Sequence, residues 1–338
     1  MAEPKLAQVS RWWQRARRRV ASAVRRAVQH PLGGRQVGVA ILFAVLVAVV
    51  AQCGGTSSPV GPSPPPVPPP TPPPIPVPTE PVLVGAGDIA LCSSDAHRAT
   101  AALLDKIGGY VFTLGDNIYG GATLQKLQAC YGPEWGRHLS RTRPSPGNHD
   151  YEPSGPGPYD QYFQSSGPEG QDYYSYDFAG WHIISLNSNI SMASGSAQYQ
   201  WLANDLASNG SKCAVAYWHT PLFSSGPNGP NRSVRDAWVL MYNAGVDVVL
   251  NGHDHLYERF GPQNPDGKAD AARGIRQFTV GTGGADLYAV RAIQPNSETQ
   301  ASVYGVLKLT LRASDYEWEF VSVPGWGYHD FGSGTCHY

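Results

Sequence analysis

The sequence predicts a layered α/β fold with mixed sheets, on three observations. Short apolar strand-like runs alternate with helical patterns, two stretches read as hairpins, and polar residues able to bind metals follow directly after the apolar runs. The runs are VLVGAG from Val82, YVFTLG from Tyr110, CAVAYW from Cys213 and VDVVL from Val246. Almost every residue in them is apolar or glycine, as expected of strands buried on both faces. Helices are predicted in SDAHRATAALLDKI from Ser94, SAQYQWLANDLAS from Ser196 and SVRDAWVLMYNAG from Ser233. The hairpins are DYYSYDFAGWHIISLNS from Asp172 and YGVLKLTLRASDYEWEFVSV from Tyr304, which makes the sheets mixed.

Four regions precede or make up this fold. Residues 1–36 carry Lys5 and eight arginines against Glu3, a net of +8; the whole chain is at -1, which leaves the remainder at -9. The 15 residues Val37–Ala51 contain no polar side chain, so 1–36 reads as a basic cytoplasmic segment and 37–52 as a signal peptide or signal anchor. As a helix it would measure roughly 22 Å, short of a hydrocarbon core near 30 Å, so cleavage and anchoring both stay open. Residues 53–81 form a linker, with 14 of the 30 prolines between Pro59 and Pro81. Such a run cannot pack a core; as polyproline II those residues reach roughly 70 Å, a semi-rigid spacer. Residues 82–338 are then one catalytic domain, exported and either secreted or held on the outer side of the membrane. Cys53 is a candidate lipid attachment point; the other four cysteines, Cys92, Cys130, Cys213 and Cys336, allow two disulfides in three connectivities. The acidic remainder argues against a nucleic-acid groove.

The chemistry is carried by GDIA, GDNIYG, GNHD, YWHTP and GHDHLYER. Asp88 and Asp116 stand where buried strands end, Tyr119 lies three residues after Asp116, and Asn148, His149 and Asp150 follow the loop RPSPG. His219 ends the strand-like run KCAVAYW; His253 and His255 are two apart and, if extended, point the same way. In open α/β sheets functional groups gather on loops beyond the carboxyl ends of the strands. Carboxylate, phenolate, amide oxygen and imidazole without thiolate favour iron, manganese or zinc. Two such ions about 3.5 to 4 Å apart suit phosphoester hydrolysis.

These residues resemble the calcineurin-like metallophosphoesterases and, within them, the purple acid phosphatase branch. The usual superfamily Asp-x-His opening is here Asp88-Ile89-Ala90, and Tyr119 in GDNIY stands where that branch replaces the missing histidine with a tyrosine. GHDHLYER and VGTGGA are similar to further segments of the same branch. The resemblance implies an αββα sandwich of two mixed β-sheets flanked by helices. It also implies Fe(III) held by Asp88, Tyr119 and His255, and a divalent Fe, Zn or Mn held by Asn148, His219 and His253, with Asp116 between the two metal ions. His149 becomes the histidine that meets the phosphate or its leaving group, acting on phosphomonoesters attacked by a hydroxide that the metals hold. Asp150 and Asp254 are expected to support ligand or acid histidines, whose second ring nitrogen needs a partner. Arg143, Arg232 and Arg235 are read as solvated and outside the site. A phosphodiesterase or nucleotidase would share the ligands and differ at the rim, for which EPSGPGPYDQYFQSSGPEG is the candidate loop; a non-catalytic anchored module is the rival of another class.

Overall fold

The computed structural model describes residues 80–164 and 172–337. The basic segment, the apolar run, Cys53 and the proline-rich linker lie outside the described residues. Among the described residues no helix is long and apolar enough to cross a membrane.

Two mixed sheets form the frame. The first contains β1 (Val82–Ala86), β2 (Tyr110–Thr113), β3 (Thr142–Arg143), β11 (Gly305–Leu311), β12 (Asp315–Ser322) and β13 (His329–Thr335), in the order β13-β12-β11-β1-β2-β3. The second contains β4 (Tyr174–Phe178), β5 (Trp181–Ser185), β6 (Cys213–Tyr217), β7 (Val248–Asn251), β8 (Tyr257–Phe260), β9 (Arg276–Val280) and β10 (Ser297–Ala301), in the order β10-β8-β9-β7-β6-β5-β4. The central strands β1–β2–β3 and β5–β6–β7–β9 run parallel, and both hairpins read from the sequence, β4–β5 and β11–β12, are antiparallel.

Parallel strands need covering on both faces, which the sequence supplies as uninterrupted apolar runs. Leu83, Phe112 and Leu309 of the first sheet join Trp181, Val215, Leu250 and Phe278 of the second in one buried cluster. On the other side of the second sheet, Ile184, Ala216 and Val249 meet Leu202 of α3 (Ala197–Ser208) and Trp238 and Met241 of α4 (Arg235–Asn243). Against the first sheet, α1 (Ala96–Leu104) buries Ala101 and Leu104. The layers are therefore α, β, β, α. The rim loop is partly helical, since α2 (Gly157–Phe163) buries Tyr159 and Phe163 within it; residues 165–171 lie outside the described part.

Of the three connectivities, the structure contains Cys92–Cys130 and Cys213–Cys336. The second joins the start of β6 to the residue after β13 and so ties the chain end across the sandwich. Arg143 departs from its expected solvated role. Its guanidinium lies 4.5 Å from the centre of the Tyr110 ring, a cation–π contact that fixes it on β2. Arg235 is paired with Asp266 at 2.6 Å.

Behind α1, His138 is 1% exposed between Arg137, Arg141 and Asp105. Burial and the two guanidinium charges hold its pKa down, to about 4. A base depressed in the folded state contributes stability above its unfolded pKa, near 6.5, and loses it as pH falls toward 4. Denaturant unfolding of wild type from pH 7 to pH 4 is expected to show a loss of about 2 kcal/mol that His138→Gln lacks; parallel pH profiles of the two proteins would refute this role.

Candidate metal centre

All five sequence segments arrive at one end of the sandwich because the parallel strands end there together. The two sheets are stitched at that end by Gly87 N–H, which donates to Val280 O at 2.8 Å; within the first sheet Asp88 N–H donates to Gly115 O at 3.0 Å. VGTGGA backs the first loop, with Gly283 N–H to Gly87 O and Ala285 N–H to Asp88 O, both at 2.9 Å.

The turns are tight enough to force unusual backbone. Asp88, Asp116 and His253 have φ of +58°, +50° and +71°, in the left-handed region that non-glycine residues rarely occupy. Each aspartate is fixed through one oxygen: His253 N–H donates to Asp88 Oδ2 and His149 N–H to Asp116 Oδ1, both at 2.8 Å. The other oxygen of each then faces the centre. Close approach is possible only because Gly147 has no side chain; a Cβ there would stand 2.2 Å from both the Asp116 nitrogen and Oδ1. The two histidines of GHDH do not form the extended pair expected from their spacing. They lie on a turn before β8, and the left-handed His253 brings both rings to the centre.

Two groups of side-chain atoms result, sharing Asp116. In the first, the Tyr119 hydroxyl is 2.7 Å from Asp88 Oδ1 and 2.9 Å from His255 Nε2, and Asp88 Oδ1 is 3.2 Å from His255 Nε2. In the second, His219 Nε2 is 3.1 Å from Asn148 Oδ1 and 3.1 Å from His253 Nδ1. Asp116 Oδ2 touches both, at 3.0 Å from the Tyr119 hydroxyl and 3.2 Å from His219 Nε2.

Hydrogen bonds cannot satisfy this cluster. His219 Nδ1 is committed to Leu114 O at 2.7 Å and His255 Nδ1 to Asp286 O at 2.6 Å. These carbonyls take the Nδ1 protons, so each ring, when neutral, turns an Nε2 lone pair toward carboxylate and amide oxygens. Tyr119 brings one proton to three neighbours. Lone pairs converging with too few protons are what a cation requires, and ligands at about 2.1 Å around an octahedral ion stand about 3 Å apart. The residues therefore fit metal ions.

With protons as its only cations, the cluster pairs charged histidine with carboxylate. Burial would raise the Asp88 carboxyl, but His255, His219 and Tyr119 outweigh it and bring its pKa to about 2. Burial opposes charge on His219, yet Asp116 and Asp88 lift it to about 10. Burial and the two carboxylates push the Tyr119 phenol well above its usual value. Burial and the neighbouring His219 charge bring His253 down to about 4.

The surroundings differ in part from expectation. Asp150 is fully buried and accepts from Asn117 N–H, Asn117 Nδ2 and Gly147 N–H at 3.0, 2.9 and 2.8 Å, so it clamps the ligand loops and does not touch the His149 ring. Burial and the Asp116 charge raise its pKa to about 7. The His149 ring meets Glu152 instead, Nδ1 to Oε2 at 2.9 Å, and lies over the Tyr119 ring at 4.6 Å. Asp254 accepts from the Ser224 hydroxyl and Asn228 N–H, while Asn228 Nδ2 donates to His253 O at 2.8 Å; it orders the histidine loop from one residue away. Glu258 and Arg259 of the same motif brace the scaffold, to Ser225 and Ser297 and to Asp330 respectively. Tyr288, unmarked in the sequence, stacks on His255 with ring centres 3.9 Å apart and planes at 10°. The glutamate three residues after His149 was a readable signal for Glu152; Tyr288 had none.

A cluster of candidate metal ligands that shares one carboxylate, on loops of this double sheet, fits a metallophosphoesterase. The Calcineurin-like phosphoesterase family matches residues 83–257, and the chain belongs to it. Within it the chain falls in the purple acid phosphatase-like branch. It is 41% identical over 118 residues to purple acid phosphatase 22 of Arabidopsis thaliana, covering 33% of this chain and 27% of that one. Probable purple acid phosphatase 20 of the same plant is 37% identical over 145 residues, covering 40% and 34%. The matches thus span about a third of the length of these relatives. The structure of purple acid phosphatase PPD1 from yellow lupin (Lupinus luteus) seeds shares the fold, with a TM-score of 0.64 at 19% identity over 77% of this chain and 54% of that one.

Gly147→Ala tests whether the close loop approach shapes the centre. The variant is expected to keep its far-ultraviolet circular dichroism and to lose about 10- to 100-fold in metal affinity by competition titration. Unchanged affinity would mean that the loops yield.

Proposed function

We propose that the chain is an exported phosphatase that hydrolyses phosphomonoesters at a binuclear metal centre. The observation that carries this reading is Asp116 Oδ2, which stands within 3.2 Å of a donor atom from each of the two ligand groups. Asp88, Tyr119 and His255 would hold Fe(III), Asn148, His219 and His253 a divalent Fe, Zn or Mn, and Asp116 would serve both. Two such ions, when bound, supply an activated water and neutralise charge on the phosphoryl oxygens.

The protein's own contribution is orientation and proton placement. The backbone N–H groups of His149 and His253 fix the two carboxylates, and the carbonyls of Leu114 and Asp286 fix the ligand rings. Glu152 engages His149 Nδ1, which leaves Nε2 as the atom to hold a proton for the leaving oxygen. Water adds to phosphorus, the ester P–O bond breaks, the alcohol departs with that proton, and a proton given up by the water returns to His149. The two disulfides support export, since such bonds persist in oxidising compartments. The apolar run and basic flank of the amino-terminal region supply the membrane-targeting signal.

Purified protein supplied with iron, manganese or zinc is expected to turn over p-nitrophenyl phosphate faster than bis(p-nitrophenyl) phosphate. No turnover of either would reject the enzyme, and a preference for the diester would reject the monoester assignment. A tyrosinate on Fe(III) colours a protein by charge transfer, so Tyr119→Phe is expected to abolish the visible band; an unchanged spectrum would remove Tyr119 from the ligand set.

A further inference from the structure

The two disulfides differ in their access to solvent. Cys213 and Cys336 are only 1% and 6% exposed. Cys92 is exposed and Cys130 half-buried, and both line a surface cleft of about 400 Å³ together with His97, Arg98, Lys126 and Glu134. His97 is buried beneath this cleft and brings its Nε2 to 4.0 Å from Cys130 Sγ. Burial holds its pKa below the usual histidine value, against the opposing Glu134 charge, so the ring is neutral at pH 7. An exposed sulfur, an imidazole beside its partner and two cationic side chains at the cleft wall are the surroundings in which cysteine sulfur reacts.

The same bridge closes the segment that carries Tyr119. Its ends are 38 residues apart in the chain, and Asp116 and Tyr119 lie between them. On one side Ala90, two residues before Cys92, accepts from Tyr119 N–H at 3.0 Å and donates to Asn117 O at 3.2 Å. On the other, Lys126 donates through Nζ to Tyr119 O at 3.2 Å and to Gly120 O. Lys126 and Cys130 belong to the consecutive helical turns Leu124–Lys126 and Leu127–Tyr131. Tyr119 is therefore gripped from two stretches of chain, and the Cys92–Cys130 bond joins those stretches beyond it.

We propose that Cys92–Cys130 is a thiol-exchange site, at which an external dithiol opens the bridge and thereby loosens the segment that carries Tyr119. It rests on the phosphatase reading only for the role of Tyr119 as a metal ligand. One thiolate of the dithiol attacks the exposed Cys92 sulfur, the S–S bond breaks, and Cys130 leaves as a thiolate that accepts a hydrogen bond from His97 Nε2. The second thiolate of the reagent then attacks the reagent's own sulfur in the mixed disulfide and releases Cys92. The dithiol ends as a disulfide, the bridge has gained its two electrons, and the two reagent protons rest on Cys92 and Cys130. Cys213–Cys336 offers no exposed sulfur for the first attack, so it stays closed.

The test treats the full chain with graded dithiothreitol, quenches with iodoacetamide and maps the labelled cysteines by peptide mass spectrometry. Hydrogen exchange is then compared between oxidised wild type and the Cys92→Ser/Cys130→Ser double variant, and, should that variant not fold, wild type reduced at the lower dithiothreitol concentration. Cys92 and Cys130 are expected to take label at about one tenth of the dithiothreitol concentration that labels Cys213 and Cys336. Amides within 115–131 are expected to exchange about tenfold faster once the bridge is open, with those of β6 and β7 unchanged. Equal labelling of all four cysteines, or earlier labelling of Cys213 and Cys336, would overturn the exchange site. Unchanged protection within 115–131, or a rise spread over the whole chain, would overturn its link to Tyr119. A chain that binds no metal would reject the phosphatase reading without touching either result.

Discussion

Everything at the centre depends on how closely the carboxyl ends of two separate sheets approach each other. A ring from the second sheet, His219, takes its orientation from a carbonyl of the first, Leu114 O at 2.7 Å. An amide at the end of β7, His253 N–H, fixes an oxygen of Asp88 after β1. Such contacts leave no room for side chains at the turns, and Gly147 and Gly252 stand where the backbones cross; a Cβ at Gly252 would meet Asp88 Oδ2 at 2.6 Å. The ligand geometry is thus a property of the sandwich and not of any one loop.

That closeness has energetic consequences. Three candidate ligand residues sit at positive φ, a conformation that costs of order 1 to 3 kcal/mol each where nothing compensates. Asp88 and Asp116 are buried side by side, at 0% and 1% exposure, where unpaired charge is expensive. The surrounding loops offset this with buried carboxylates that gather backbone donors: Asp150 clamps Asn117 and Gly147, and Glu258 clamps Ser225. The Cys92–Cys130 bridge anchors the chain four residues beyond Asp88. Cations at the centre would relieve the remaining strain, because their charge opposes that of both carboxylates.

The fold was legible where composition has one meaning. VLVGAG, YVFTLG, CAVAYW and VDVVL are too short and too uniformly apolar to be surface helices; the first three contain β1, β2 and β6, and the last contains all of β7 but Asn251. The convergence of the candidate ligand residues was legible for a related reason, since a polar residue placed directly after a buried strand must emerge at the sheet end. Backbone direction was not legible: the spacing of His253 and His255 suggested an extended pair, and only the left-handed φ of His253, forced by contact with Asp88, accounts for the turn. Partners set by long-range packing were equally hidden. Tyr288 reaches His255 across 33 residues of chain, and Arg143 found the Tyr110 ring on the neighbouring strand. Asp150 and Asp254 were recognised as supports, but they support loops where the motif had suggested rings.

Elemental analysis of the intact purified chain addresses the central claim most directly. If Asp116 joins two ligand groups into one centre, reconstituted protein binds two metal ions per chain, one of them iron. One ion or fewer per chain at saturation would contradict the account, because half of the converging lone pairs would then have no cation to face.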